Sequence, residues 1–386
     1  MCSKLWTAWN PWRGLCLPAA FALCFGAAAP GAGAVSGGQY SPDGLKIVTD
    51  WPAGSSAKAD AATVDCDTGA VRRLGAAARS GGGAWSPDGR WIVFHATQDG
   101  QEVTKLYDVR SGSSRVISRT FGPPYAWRED SRRLAGVALP VPSKEADPKG
   151  DEAALQIVFY NASERGESLR VAVDVESVDD LVWLPETDDV AFRGRQAGRN
   201  DVYAVEGGQV RKLTTTGDVL RLGLIAAGNE LVWARSSRNT RYILLTLYAF
   251  NLRSRSVRRL GFPGRVAAIN PQPSRSPVAV ESVALDRTGS RIAVVVLDPV
   301  QSDPRSKRQT QTRRLFTVRT DGTGARLVRT ITQTPGGARQ QAMIPFWSWD
   351  GKRLGVVHAE AGRKTLLQYA ADGSSGKVVA RSGSEP

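Results

Sequence analysis

Trp85-Ser86-Pro87-Asp88-Gly89-Arg90-Trp91-Ile92-Val93-Phe94 decides the architecture: an aromatic residue enters a tight turn, and a short apolar run leaves it. Pro sets φ at the second turn position, Asp can bond nearby amides, and Gly tolerates the positive φ that completes the turn. Residues 83–86 and 91–95 therefore read as the two arms of a hairpin. Further along, 103–109 and 115–118 read as two more strands, divided by Gln98-Asp99-Gly100 and Ser111-Gly112, both strong turn signals.

This four-strand unit recurs along the chain. Tyr40-Ser41-Pro42-Asp43-Gly44 precedes an earlier copy and Trp347-Ser348-Trp349-Asp350-Gly351 a late one, with strands at 346–348, 353–358, 365–370 and 377–380. Looser copies follow Trp127 (Arg128-Glu129-Asp130), Trp183 (Leu184-Pro185-Glu186), Ile225 (near Gly228-Asn229) and Leu285 (Asp286-Arg287-Thr288-Gly289). The residues before the turns, at 40, 85, 127, 183, 225, 285 and 347, are spaced 45, 42, 56, 42, 60 and 62 apart. A base period near 42 matches the roughly 40 to 50 residues of a propeller blade, and the longer gaps are loop insertions. No segment has a sustained helical period. The expectation is an all-β propeller of seven four-stranded blades, six being the alternative count, over residues 35–381. Residues 382–386 are expected to form a disordered tail. The chain begins on a first strand and ends on a fourth, which predicts a ring closed without strand exchange.

The signature resembles that of the TolB-like propeller family, W-S-P-D-G-[KR]-x-[IL], most closely at Trp85 to Ile92 and Trp347 to Leu354. The likeness spans residues 36–380. It implies a propeller fold and an envelope or periplasmic address. The additional α/β domain that TolB itself carries has no counterpart before the first blade, so that protein's role in the Tol–Pal system is not implied. The turn aromatics Tyr40, Trp85, Trp127, Trp183 and Trp347 are expected to pack between blades rather than to hold ligand.

The first 34 residues read as an export signal. Lys4 and Arg13 give the positive start, Leu15 to Ala29 is apolar, and Ala32-Gly33-Ala34 offers a small-residue cleavage site. The rival is a membrane anchor, but the run is shorter than the roughly 20 residues a spanning helix needs, and Pro18 interrupts it. Leu15 and Leu23, before Cys16 and Cys24, argue against lipidation there. Cys66 is then the single cysteine of the mature chain, which excludes an internal disulfide. Its neighbours Asp65 and Asp67 are expected to raise the thiol pKa. Losing Lys4 and Arg13 lowers the formal charge from +14 to +12. Outside the inner membrane such a balance favours an acidic protein or an anionic wall or membrane polymer over nucleic acid. A monomer with no transmembrane segment after cleavage is expected, periplasmic or secreted.

Strands alternate direction, so the first and third turns of every blade share one face. The second turns and the links between blades share the other. That second face collects the insertions at 140–152, 261–280 and 298–314, together with basic residues on three successive blades. These are Arg193, Arg195 and Arg199 on the fourth, Arg235, Arg238 and Arg241 on the fifth, and Arg305, Lys307, Arg308, Arg313 and Arg314 on the sixth. Placed on loops, they form the candidate binding face, since a planar guanidinium fork suits carboxylates and phosphates.

Catalytic signatures are sparse. His95 and His358 are the only histidines, and with one cysteine they do not make a zinc-type ligand set. No G-x-S-x-G elbow occurs, and Gly373-Ser374-Ser375-Gly376-Lys377 lacks phosphate-loop spacing. Asp179, Asp180, Asp188 and Asp189 could pair for glycoside hydrolysis, although nothing in the sequence fixes their separation. Asn161-Ala162-Ser163 fits a glycosylation acceptor. The reading is a non-catalytic envelope scaffold without cofactor or metal. A glycan-active hydrolase or lyase is the alternative, and it would bring acids and aromatics together at one mouth of the channel.

Overall fold

The computed structural model describes residues 37–52, 59–77, 83–138, 154–225, 230–238, 243–260, 264–265, 279–298, 301–302, 309–333, 341–360 and 363–383. The segment expected to be an export signal and most of the three insertions lie outside them. Among the described residues every regular element is a β-strand. They form seven antiparallel sheets, each built from consecutive strands in the order first to fourth; the fifth and sixth sheets each carry one extra short strand. The fold is a seven-bladed β-propeller.

The innermost strands are Gly38–Tyr40, Gly83–Trp85, Phe121–Trp127, Ser177–Trp183, Val219–Ile225, Ala279–Leu285 and Gln341–Trp347. All seven end on the residue that the repeat places before its turn. In the well-formed copies the turn is wired alike. Ser41 Oγ donates to Asp43 Oδ1 at 2.6 Å and accepts the Lys46 amide at 2.9 Å, while the Leu45 amide donates to Asp43 at 2.9 Å. Ser86–Asp88 and Ser348–Asp350 repeat the arrangement. Gly44, Gly89 and Gly351 take φ near 70°. The looser third copy keeps the Asp130 bond to the Arg132 amide, and Ser131 adopts φ 59° where the others have glycine.

The core is divided into seven apolar clusters, one in each seam between neighbouring blades. Second strands are buried on both faces and so read as unbroken apolar runs rather than alternating ones. In Arg291–Leu297, Ile292, Val294 and Val296 pack towards blade 5, whereas Ala293 and Val295 pack towards blade 7. Trp85, Trp183 and Trp347 are buried in such seams. Trp127 Nε1 donates to the Ala84 carbonyl and Trp347 Nε1 to that of Ala284, both at 3.1 Å, each reaching back one blade. Trp183 instead donates to Thr187 in its own turn.

Blade 7 meets blade 1 without exchanging a strand. Trp349 Nε1 donates to the Tyr40 carbonyl at 2.8 Å, and the buried Lys364 ammonium donates to the Asp50 carbonyl at 2.9 Å. Ser382, assigned to the tail from the sequence, exchanges backbone and side-chain bonds with Lys364. Residues 384–386 lie outside the described set. Cys66 is buried in the same seam, and its thiol is pushed up to about 11. Burial is the main cause, not the flanking aspartates, whose effect is smaller than the opposing pull of Arg353 and Lys377.

Candidate ligand-binding mouth of the channel

The basic residues singled out on the sequence lie mainly in strands, not loops. Arg193 and Arg195 belong to Val190–Gln196, Arg199 opens Arg199–Glu206, and Arg235 and Arg238 lie in Glu230–Arg238. Arg313 and Arg314 belong to Gln309–Arg319. Arg241, Arg305, Lys307 and Arg308 are outside the described residues, as is the Arg238 side chain.

Strand register brings acids to most of the others. Arg193, 14% exposed, sits between Asp179 at 3.1 Å and Asp180 at 2.8 Å. Arg235 meets Asp218 at 2.6 Å, Arg313 meets Glu281 at 2.8 Å, Arg314 pairs with Asp298, and Arg195 stands 3.7 Å from Glu176. Arg199 donates to the Thr215 carbonyl. Arg193, Arg235, Arg313 and Arg314, engaged in this way, have little left to offer a partner, whereas Arg195 and Arg199 stay exposed.

The proposed acid pairs are likewise occupied. Asp180 accepts from Arg193, Arg221 and the Leu222 amide, tying blade 4 to blade 5. Burial pushes its carboxyl up, but Arg221, Arg193 and the amide outweigh that and hold it below the usual carboxylate range. Asp188 bridges Arg128 and Arg133 of blade 3, and Asp189 accepts the Gly207 amide. Asn161 is nearly buried, and its side-chain oxygen accepts from Ser163 Oγ and from the amides of Ser163 and Glu164, so it caps a turn. His95 and His358 lie on blades 2 and 7. Among the described residues no three His, Cys, Asp or Glu side chains come together.

A concavity opens at the other end of the channel, on the face of the Asp-Gly turns. It is a funnel of about 650 Å³. The ends of the inner strands form its wall, with Tyr125, Trp127 and Phe346 among the aromatics. Its rim consists of residues at the second position of the turns: Pro87, Glu129, Pro185, Arg287 and Trp349. In the tight turns proline stands there because φ near −65° is all the fold asks of that position.

Among the described turns three depart from proline at this position, and their residues line one stretch of the mouth. Arg287 of blade 6 lays its guanidinium over the Trp349 ring of blade 7, 4.3 Å from the centroid. Glu129, on blade 3 across the ring, exerts an attraction on Arg287. The three share a second, shallower concavity with Pro87, Asp88, Asp130, Ser131 and Thr288. Arg287 makes no hydrogen bond or ion pair among the described residues. Burial pulls its pKa below the ordinary value, and Glu129 opposes this. By sequence the turns of Glu129 and Arg287 count as looser copies of the motif and that of Trp349 as a well-formed one. The usable signal was the residue type at one turn position, Glu, Arg and Trp in place of Pro.

No protein-family model matches the chain, and no curated protein matches it. Solved structures do. The oligogalacturonate lyase determined in complex with manganese superposes with a TM-score of 0.57 at 13% identity, over 83% of this chain and 86% of that one. The propeller domain of the Trilobed protease from Pyrococcus furiosus, which has an open velcro topology, gives 0.57 at 12% identity, over 89% and 94%. TolB from Acinetobacter baumannii gives 0.45 at 15% identity, over 76% and 65%. At identities this low, the lyase and the protease domain, both superposing with TM-scores above 0.5, describe a shared fold and nothing more.

Proposed function

We propose that this chain is an exported, non-catalytic β-propeller of the cell envelope that binds its partner at the funnel on the Asp-Gly-turn face. One observation carries the reading: the funnel gathers aromatic side chains from several blades together with Arg287, which has no hydrogen bond or ion pair among the described residues, whereas the described arginines of the opposite face are mostly matched by acids. The leader-like first 34 residues support export, and the net positive charge favours an acidic protein or anionic polymer as partner.

Capture from envelope extract tests the reading with the unaltered protein and two folded variants. In one, Pro87 and Pro185 become Trp and narrow the funnel; in the other, Arg195, Arg199, Arg238 and Arg308 become Gln. Loss of one acidic partner in the first variant alone is the expected result. Equal capture by all three overturns the funnel reading, and loss only in the second returns the function to the arginine-bearing face. A second reading, a glycan-active enzyme, is favoured by Glu129, Asp130 and Glu186 standing beside Trp127 and Trp349 at the same mouth. Release of new reducing or unsaturated ends from an anionic glycan, abolished by Glu129→Gln, would establish it.

A further inference from the structure

Six turns show their second position: Pro42, Pro87, Glu129, Pro185, Arg287 and Trp349. Where a repeat breaks its own rule without a structural return, function is the usual reason. Arg at this position gives up the preset φ of proline, and half-burial strips water from a cation that no carboxylate of the described chain neutralises at contact distance. Left alone, that arrangement costs stability. A ligand anion would offset the cost.

Charge and shape limit what that anion can be. Near Arg287 the other cations are committed: Arg128 to Asp130 and Asp188, Arg221 to Asp180. Glu129 adds a negative charge on the far rim. One uncompensated guanidinium facing one carboxylate suits a monoanion and repels a dianion. The guanidinium lies over the Trp349 ring and has no hydrogen-bond partner among the described residues, so its N–H groups are available to a planar carboxylate through two parallel hydrogen bonds. The funnel wall offers apolar surface from Phe346, Leu285, Trp127 and Trp183, alongside polar groups such as Gln39 and Glu186.

We infer that Arg287, held on Trp349, is a recognition site for an organic monocarboxylate whose apolar body packs against the funnel wall. The inference rests on the funnel being the working surface and narrows what it takes. The same chemistry is presented by a small free acid and by the end of a peptide chain.

Calorimetric titration of the purified protein separates these sources. The probes are 3-phenylpropionate as the free acid, N-acetylphenylalanine as the chain-end mimic, N-acetylphenylalaninamide as the uncharged control and phenyl phosphate as the dianion. Both acids are expected to bind, with the better of the two identifying the source. The amide and the phosphate should be weaker by about tenfold or more, the scale of a charge-assisted pair. Arg287→Gln should remove that discrimination, Arg287→Lys should restore it in part, and Arg195→Gln should leave it intact. Thermal unfolding confirms that each variant is folded. Equal binding of acid and amide, binding unaffected by Arg287→Gln, or no binding of either acid overturns the carboxylate site. Should the acids fail while partner capture still depends on the funnel, this inference falls and the functional reading stands.

Discussion

Arg287 and Arg193 are the same residue type in the same ring, and they stand in opposite circumstances. Arg193 lies inside a sheet between two aspartates, one of them buried and also held by Arg221 and an amide. Arg287 lies on the rim with an indole beneath it and no acid in contact. A buried cation whose acids are supplied by its own chain contributes to cohesion, and removing either partner leaves the other desolvated. A cation left unmatched contributes little to the fold and is available for recognition. Arginine count therefore misleads as a guide to binding, and arginine pairing informs.

The sharpest way to break this contrast is to remove Asp180. Asp180→Ala should destabilise the protein by about 3 kcal/mol in urea unfolding, because Arg193 and Arg221 lose a shared buried counterion. An effect below about 1 kcal/mol would show the pair to be ornamental. The same carboxyl sets an acid dependence. Its folded pKa is depressed, so its stabilisation is present above the unfolded value of about 3.9 and is lost as pH falls through the lower folded value. The unfolding midpoint of the unaltered protein should therefore drop below about pH 4, and Asp180→Asn should flatten that part of the profile.

Next in size, Arg287→Gln should leave the unfolding free energy of the ligand-free protein unchanged or raised by up to about 0.5 kcal/mol, in contrast to Asp180→Ala, since no ion pair is broken and a half-buried unmatched charge is removed. A loss above about 2 kcal/mol would assign Arg287 a structural role. Glu129→Gln should strengthen monocarboxylate binding by about threefold at low salt, with the gain fading as salt rises. Smallest is Arg195→Gln, expected to change stability by no more than about 0.5 kcal/mol, because its contact with Glu176 is long and exposed.

The architecture was legible because each blade needs the same turn at the same place. The seven residues from Tyr40 to Trp347 all end an inner strand, including Ile225 and Leu285, where the aromatic is missing. The placement of Arg193, Arg235 and Arg313 was not legible, because it depends on register. Asp180 faces Arg193 at a bulge, and Arg235 reaches Asp218, just ahead of the inner strand opposite it. A hint was present even so, in the acids Asp179-Asp180, Asp218 and Glu281 at or just before the start of three successive inner strands. Glu129 and Arg287 were not legible because a motif comparison scores such departures as decay, and Trp349 because it stands inside an otherwise well-formed copy. The three line one mouth only once blades 3, 6 and 7 are set around one channel.

The second turn position also separates two kinds of change open to this molecule. The hairpin needs only a compatible φ there, and the residues at 87, 129, 185 and 287 take no part in the apolar clusters that hold the seams together. Substitutions at 87, 129, 185, 287 and 349 can then alter what the rim selects with little need for compensating changes in the core. Trp349 is the exception, since its indole also bonds the Tyr40 carbonyl where the ring closes. Descendants of this sequence would be free to acquire new ligands through four of these positions, while the fifth stays tied to the ring's closure.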